Sequence, residues 1–222
     1  MTYNDIATPI KKTIYGEADI IYTFLTAHHG RIDAIAKGIR KSTSRKRGNI
    51  DYGVFSSLQL AKGKNMDVIT EAQMIEYNDD LFSENGLKFL FSNVPLINRF
   101  ASDIEHCTKM FETLKVVFLT YEKEHHNSFD LMLKYDLLEI QDLLPDFNQC
   151  RMCRVKGVEI SKYSNSSLVP ICNNCARKIE TSLFIVPNNF EDIKRLDIGQ
   201  KKVILNILNL QIRSIFSNSS KY

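Results

Sequence analysis

Ile20-Ile21-Tyr22-Thr23-Phe24-Leu25-Thr26-Ala27-His28-His29-Gly30-Arg31-Ile32-Asp33-Ala34-Ile35-Ala36-Lys37 is the stretch whose reading decides the fold. Residues 20–26 are dominated by β-branched and aromatic side chains, which suit a pleated, half-buried surface and predict a strand. His28-His29-Gly30 reads as a turn. Residues 31–37 then alternate, with Ile32, Ala34 and Ala36 on one face and Arg31, Asp33, Ile35 and Lys37 on the other. Upstream, residues 6–15 supply an opening strand. Downstream, Val54, Leu58 and Leu60 keep period two, and Lys62-Gly63-Lys64-Asn65 turns into residues 66–70. About five strands at this spacing predict a small OB-type barrel over residues 1–76.

From about Tyr77 the period changes. Ile97, Phe100, Ala101, Ile104, Phe111, Leu114, Phe118 and Tyr121 recur at three and four residues, as do Leu205, Leu208, Ile212, Ile215 and Phe216. Residues 128–144 are also expected to be helical, ending at Pro145. The predicted class is therefore α+β: an N-terminal OB-type β-barrel followed by an α-helical domain over residues 77–222. A four-cysteine module at about 147–178 interrupts the helices.

The chain has 222 residues, 44% hydrophobic and 25% charged, enough for a substantial core. No apolar run approaches the roughly 18–20 positions of a membrane span. The opening Met1-Thr2-Tyr3-Asn4-Asp5 lacks the basic and apolar regions of a secretory signal, so a cytoplasmic location is expected. The net charge of +3 is unevenly spread, +4 over residues 1–75 and −1 over the remainder. Six of the eleven residues from Lys37 to Arg47 are basic and none is acidic, which makes a local positive field.

Four of the five cysteines form Cys150-x-x-Cys153 and Cys172-x-x-Cys175. In a cytosolic protein this spacing indicates metal ligation rather than disulfides. Four thiolates with no redox demand match one structural Zn²⁺, with iron as the alternative. Arg151, Arg154, Lys156, Arg177 and Lys178 flank the pairs and can offset the negative charge. A closed four-cysteine site has no position for catalytic water. Cys107, on a helical stripe, is expected to be a buried inert thiol.

Lys37, Arg40, Lys41, Arg45, Lys46 and Arg47 lie on a Gly- and Ser-containing loop whose adaptable backbone could track a phosphate chain. A solvated loop without a partner is the competing reading. Among Tyr15, Tyr22, Phe24, Tyr52 and Phe55, some belong to the core and an exposed one could stack on a base. The P-loop, dinucleotide-binding, zinc-protease and hydrolase-elbow motifs are absent, which argues against an enzyme. The adjacent pairs His28-His29 and His125-His126 are expected to be exposed polar residues pointing apart.

Taken in order, Tyr15-Gly16-Glu17-x-Asp19, Leu25-Thr26, Gly30, Ala36-Lys37-Gly38-x-Arg40-Lys41, Ser44-Arg45 and the Leu144-Pro145 approach to Cys150 resemble the bacterial recombination mediator RecO family. The resemblance spans nearly the whole chain. This sequence departs from it in carrying Arg154 where members often have glycine, Leu168-Val169-Pro170 where a Gly-rich strand is common, and Val54-Phe55 where Pro-Phe often follows the basic loop. No departure removes a metal ligand.

The resemblance implies a non-enzymatic DNA repair protein that binds single- and double-stranded DNA and anneals complementary strands. Its partners would be RecR, the C-terminal tail of SSB and, indirectly, RecA loaded onto SSB-coated DNA, at the nucleoid and not at a membrane. Carried onto this chain, Lys37, Arg40, Lys41, Arg45, Lys46 and Arg47 would hold DNA, with Arg31, Lys11 and Lys12 contributing less. Cys150, Cys153, Cys172 and Cys175 would hold zinc, and Glu17 and Asp19 would fix the barrel by hydrogen bonds. A zinc-stapled RNA-binding module and a nucleic-acid-modifying enzyme are the alternatives.

Overall fold

The computed structural model describes residues 1–101, 104–147, 149–156, 162–164, 166–167, 169–183 and 190–218. Strands β1 (Thr2–Tyr15), β2 (Asp19–Thr26), β3 (Arg31–Ala36), β4 (Phe55–Ala61) and β5 (Asp67–Glu76) close into a barrel in the order β1-β2-β3-β5-β4. Only β3 and β5 run parallel, with Ala34 opposite Asp67. This five-stranded arrangement is OB-like, as expected from the sequence. One strand, β1, serves two neighbours: residues 2–7 pair with β4 and residues 7–15 with β2. The register slips between Pro9 and Lys11, and such a bulge bends and twists a strand enough to wrap it round a barrel.

The alternation read along β3 is realised. Ala34 and Ala36 point inward and meet Ala7, Tyr22, Phe24, Leu58, Leu60 and Ile69 in one apolar core. Ile39 and Ile50, from the connection between β3 and β4, enter the same core.

Three helices follow, α1 (Glu84–Phe100), α2 (Ile104–Leu119) and α3 (His126–Ile140). The Ser83 hydroxyl caps α1 by accepting the Gly86 N–H at 3.2 Å. α1 packs beside β1 and α2 beside β2, and Phe55 of β4 meets Phe111 of α2 edge-on at 5.6 Å. Asn78 fastens the end of α2, its amide donating to the carbonyls of Phe118, Leu119 and Tyr121 at 3.2, 3.1 and 2.8 Å. The change from strand to helix thus falls at Glu76, while one compact unit spans Met1–Phe129 and a second begins at Asp130.

α3 stops at Ile140, short of the expected residue 144. Asp142 takes a left-handed φ of 53°, and the Leu143 N–H returns to the Leu138 carbonyl at 2.8 Å, closing the helix before Pro145 is reached.

The second unit contains β6 (Lys162–Ser164), β7 (Pro170–Ile171), α4 (Asn173–Ala176), β8 (Thr181–Leu183), α5 (Phe190–Arg195) and α6 (Ile198–Asn218). The strands form a small sheet in the order β7-β6-β8. On α6 the buried face is Val203, Ile204, Ile207 and Leu208, whereas Leu205 and Ile212 of the expected stripe are half-buried. Among the described residues no helix is long and apolar enough to cross a membrane.

Candidate nucleic-acid interface and candidate metal centre

The six cations of the basic run lie on the connection between β3 and β4. Its backbone is pinned rather than adaptable, because Ile39 and Ile50, each 4% exposed, plug into the barrel core. Between these anchors the chain turns repeatedly. The N–H groups of Lys41, Ser44, Arg47 and Asn49 reach carbonyls three residues back at 3.1, 3.1, 3.3 and 3.2 Å. The entry is tied to the β1–β2 hairpin: Asp19 Oδ1 accepts the Gly38 N–H at 2.7 Å, and Arg40 donates to the carbonyls of Ala18 and Glu17, both at 3.0 Å. Asp19 therefore has the bracing role expected of it. At the exit, Asn49 bonds Arg45 O at 2.9 Å and the Met74 N–H at 3.2 Å, and its own carbonyl accepts from the Ser56 hydroxyl.

Lys37, Arg40, Lys41, Arg45 and Arg47 are exposed and Lys46 is half-buried. Among the described residues none of the six has a carboxylate partner. Cations held on a fixed frame and not paired with carboxylates create a local field that attracts anions. Arg31 is not brought to this group. Its guanidinium donates to Asn98 O at 3.2 Å and Ala101 O at 3.1 Å, satisfying carbonyls where α1 ends. Lys12 pairs with Asp51 and lies 4.3 Å above the Tyr52 ring. Of the aromatics, Tyr22, Phe24 and Phe55 are core, while Tyr15 is 56% exposed beside the hairpin that holds the loop.

The four cysteines of the module converge, all four sulfurs lying within 4.8 Å of one another. Cys153 Sγ and Cys172 Sγ are 3.7 Å apart. A metal–sulfur bond of about 2.3 Å in a tetrahedron requires sulfurs about 3.8 Å apart, so the spacing fits a metal and far exceeds a disulfide bond. Local backbone builds each half. In the first knuckle Cys150 N–H bonds Val155 O at 3.0 Å and Arg154 N–H bonds Cys150 O at 2.8 Å; in the second, Ala176 N–H bonds Cys172 O at 2.9 Å. Cys150, Ile171 and Cys172 form a buried cluster on which Val169, Ala176 and Ile179 pack.

Burial raises the Cys150 thiol, but N–H groups of Cys153, Cys172 and Met152 outweigh it and bring the group down to about 6. Bonding to Cys153 pushes Cys175 up to about 12. Four thiolates this close would repel one another unless a cation stood among them. The donor set can hold one metal ion.

Arg154 stands at a left-handed φ of 61°, which explains why glycine suits this position in the pattern described above. Arg154→Gly is expected to raise the stability of the second unit by about 0.5–1 kcal/mol. A thermal unfolding midpoint that stays level or falls would contradict it.

One cluster was not expected from the sequence. His28 and His29 do not point apart: their Nδ1 atoms lie 2.8 and 2.6 Å from the two oxygens of Asp5, which is 4% exposed. The N–H groups of Ile6, His28 and His29 also donate to this carboxylate, at 2.8, 3.3 and 3.2 Å. Burial raises the Asp5 carboxyl, yet hydrogen bonds from His29, His28, Thr26 and Ile6 more than offset it and hold it below its ordinary range. The turn expected at His28-His29-Gly30 is present and both histidines are exposed as expected, but in that turn their side chains converge on one carboxylate. The available signal was Asp5 in phase with inward-facing Ala7, two residues on.

The family model for the recombination protein O N-terminal region matches residues 1–78, the barrel and its immediate continuation. A DNA repair protein RecO of Dehalococcoides mccartyi is 30% identical over 220 residues, covering 92% of this chain and 85% of the relative. That of Thermodesulfovibrio yellowstonii is 31% identical over 197 residues, 84% and 75% of the two chains. A Nocardioides sp. relative of the same name reaches 43% over 75 residues, 34% of this chain and 31% of the relative. An OB-like barrel under the family model, a clustered four-cysteine site and a likeness running through most of both chains together establish that this chain belongs to the RecO family of DNA repair and recombination proteins.

Proposed function

We propose that the protein is a non-enzymatic recombination mediator that binds single- and double-stranded DNA through the barrel, residues 1–76, and anneals complementary strands. With RecR and the C-terminal tail of SSB it helps load RecA onto SSB-coated DNA in the cytoplasm, at the nucleoid. The observation that carries this reading is the set of six cations without carboxylate partners among the described residues, mounted on a braced segment of an OB-like barrel. Annealing requires neutralisation of two phosphate chains and no nucleotide hydrolysis, which such a segment supplies. Lys37, Arg40, Lys41, Arg45, Lys46 and Arg47 are the proposed contacts, and Tyr15 is the proposed stacking side chain. Arg31 is left out because its guanidinium is committed to the end of α1. The metal is proposed as a single structural Zn²⁺ in the module at about 147–178, which would hold the two knuckles and the small sheet together.

Annealing of complementary oligonucleotides without ATP, with and without SSB, tests the function. Acceleration at low salt and retention of SSB are expected; failure of both would refute the mediator reading. If four to six phosphates are neutralised on a single strand, log K should fall with log salt at a slope of about −3 to −4. Replacing Arg45, Lys46 and Arg47 by alanine should flatten that slope by about 2, and an unchanged slope would remove the loop from the interface.

A further inference from the structure

The turns of the β3–β4 segment send neighbouring cations in different directions. Arg45 and Lys46 line a cavity of about 510 Å³ over the outer face of β1, β4 and β5, with Asn4, Gln59, Gln73 and the acidic Glu71. Asn4 and Gln59 are cross-strand partners, as are Gln59 and Glu71, so one polar surface runs across the three strands. Arg40 and Arg47 line a second cavity of about 430 Å³, with Lys12, Asp51, Tyr22 and Ile39. The two cavities share no lining residue, although Lys46 and Arg47 are adjacent in the chain. The i to i+3 bonds ending at Arg47 and Asn49 hold this divergence in place.

Each cavity has two loop cations, and their linings differ in kind. The first offers amide donors and acceptors with the cations, a surface suited to phosphates and the polar edges of bases. The second combines a third cation, Lys12, with the apolar sides of Tyr22 and Ile39, and its one opposing charge, Asp51, is engaged by Lys12. Both exceed what a single ion needs and lie within the size range of ligand sites.

We propose that the loop is a partition that holds two nucleic-acid strands at once. One strand's phosphates run past Arg45 and Lys46 over the β1–β4–β5 face, and the other's run past Arg40, Arg47 and Lys12. This rests on the loop being the DNA contact and adds that the contact is double. Two phosphate chains repel one another over about 10 Å at 0.1 M salt, and cations standing between them remove that barrier. Strands so held can meet and pair, whereas a single track would carry one strand and exclude the second.

The test uses the metal-loaded full chain and two non-complementary 20-nucleotide strands, one labelled with an energy-transfer donor and the other with an acceptor. For the wild type, energy transfer in a complex of one protein and two strands is expected, with the stoichiometry read by sedimentation. R45A/K46A and R40A/R47A should each lose one of the two binding steps and the energy transfer. Each should also slow annealing of complementary strands by roughly tenfold. Unchanged thermal unfolding of both variants ties these losses to the cations. Saturation of the wild type at one strand, or weakening of the same single step by both pairs, would overturn the two-track proposal while leaving DNA binding intact. Failure of the wild type to bind either strand would overturn both the proposal and the reading beneath it.

Discussion

Cys150→Ser or Cys172→Ser is expected to release the metal and unfold the second compact unit. Both residues are buried, at 0% and 3% exposure, in the cluster that joins the knuckles to β7. Structural zinc contributes about 10–16 kcal/mol to the folding of small zinc modules near neutral pH. Whole domains are stable by only about 5–15 kcal/mol, so loss of the ion exceeds what the remaining packing can offset. The expected readings are less than one metal per chain by elemental analysis and loss of helical circular dichroism from the second unit. Chelation of the wild type should reproduce both. Cys107→Ser is the control: that thiol is buried on α2 in the first unit, so metal content should not change. A Cys150→Ser protein with full metal content and the wild-type melting curve would refute the assignment.

Asp5→Ala should destabilise the barrel by about 2 kcal/mol, because the buried carboxylate that accepts from three backbone N–H groups and two exposed histidine rings would be lost. The Asp5 carboxyl is held below its ordinary value of 3.8 in the folded protein. Its contribution is therefore fully present above the unfolded value near 4 and is lost as pH falls through the lower folded value. Urea unfolding of the wild type should accordingly weaken on the acid side of about pH 4. In Asp5→Ala the midpoint should be lower at neutral pH and the acid limb flatter. Parallel acid limbs for the two proteins would show that Asp5 is not the titrating group.

Strand identity, barrel class and the cysteine site were legible because each is encoded locally. Alternation along residues 31–36 places Ala34 and Ala36 inside, and paired cysteines with two residues between them mark a set that could hold a metal before any fold is known. The cation run was equally plain, but its rigidity was not. Ile39 and Ile50 are isolated apolar residues in a polar stretch, and only closure of the barrel gives them a core to enter. The same holds for Arg31, whose partners at Asn98 and Ala101 lie far along the chain. His28 and His29 lie exposed in the turn expected of them, but the turn lets two adjacent rings reach the two oxygens of one carboxylate instead of pointing apart. The early end of α3 depends on a left-handed Asp142, a conformation that aspartate tolerates without announcing it.

The plugs at Ile39 and Ile50 also separate two traits that proteins often confound. Barrel stability draws on the two isoleucines, whereas on the proposed function affinity for a polyanion would draw on the cations strung between them. Exchanges at positions 41–47 are therefore expected to alter the salt tolerance of binding with little change in melting temperature, whereas Arg40 also braces the hairpin through the Glu17 carbonyl.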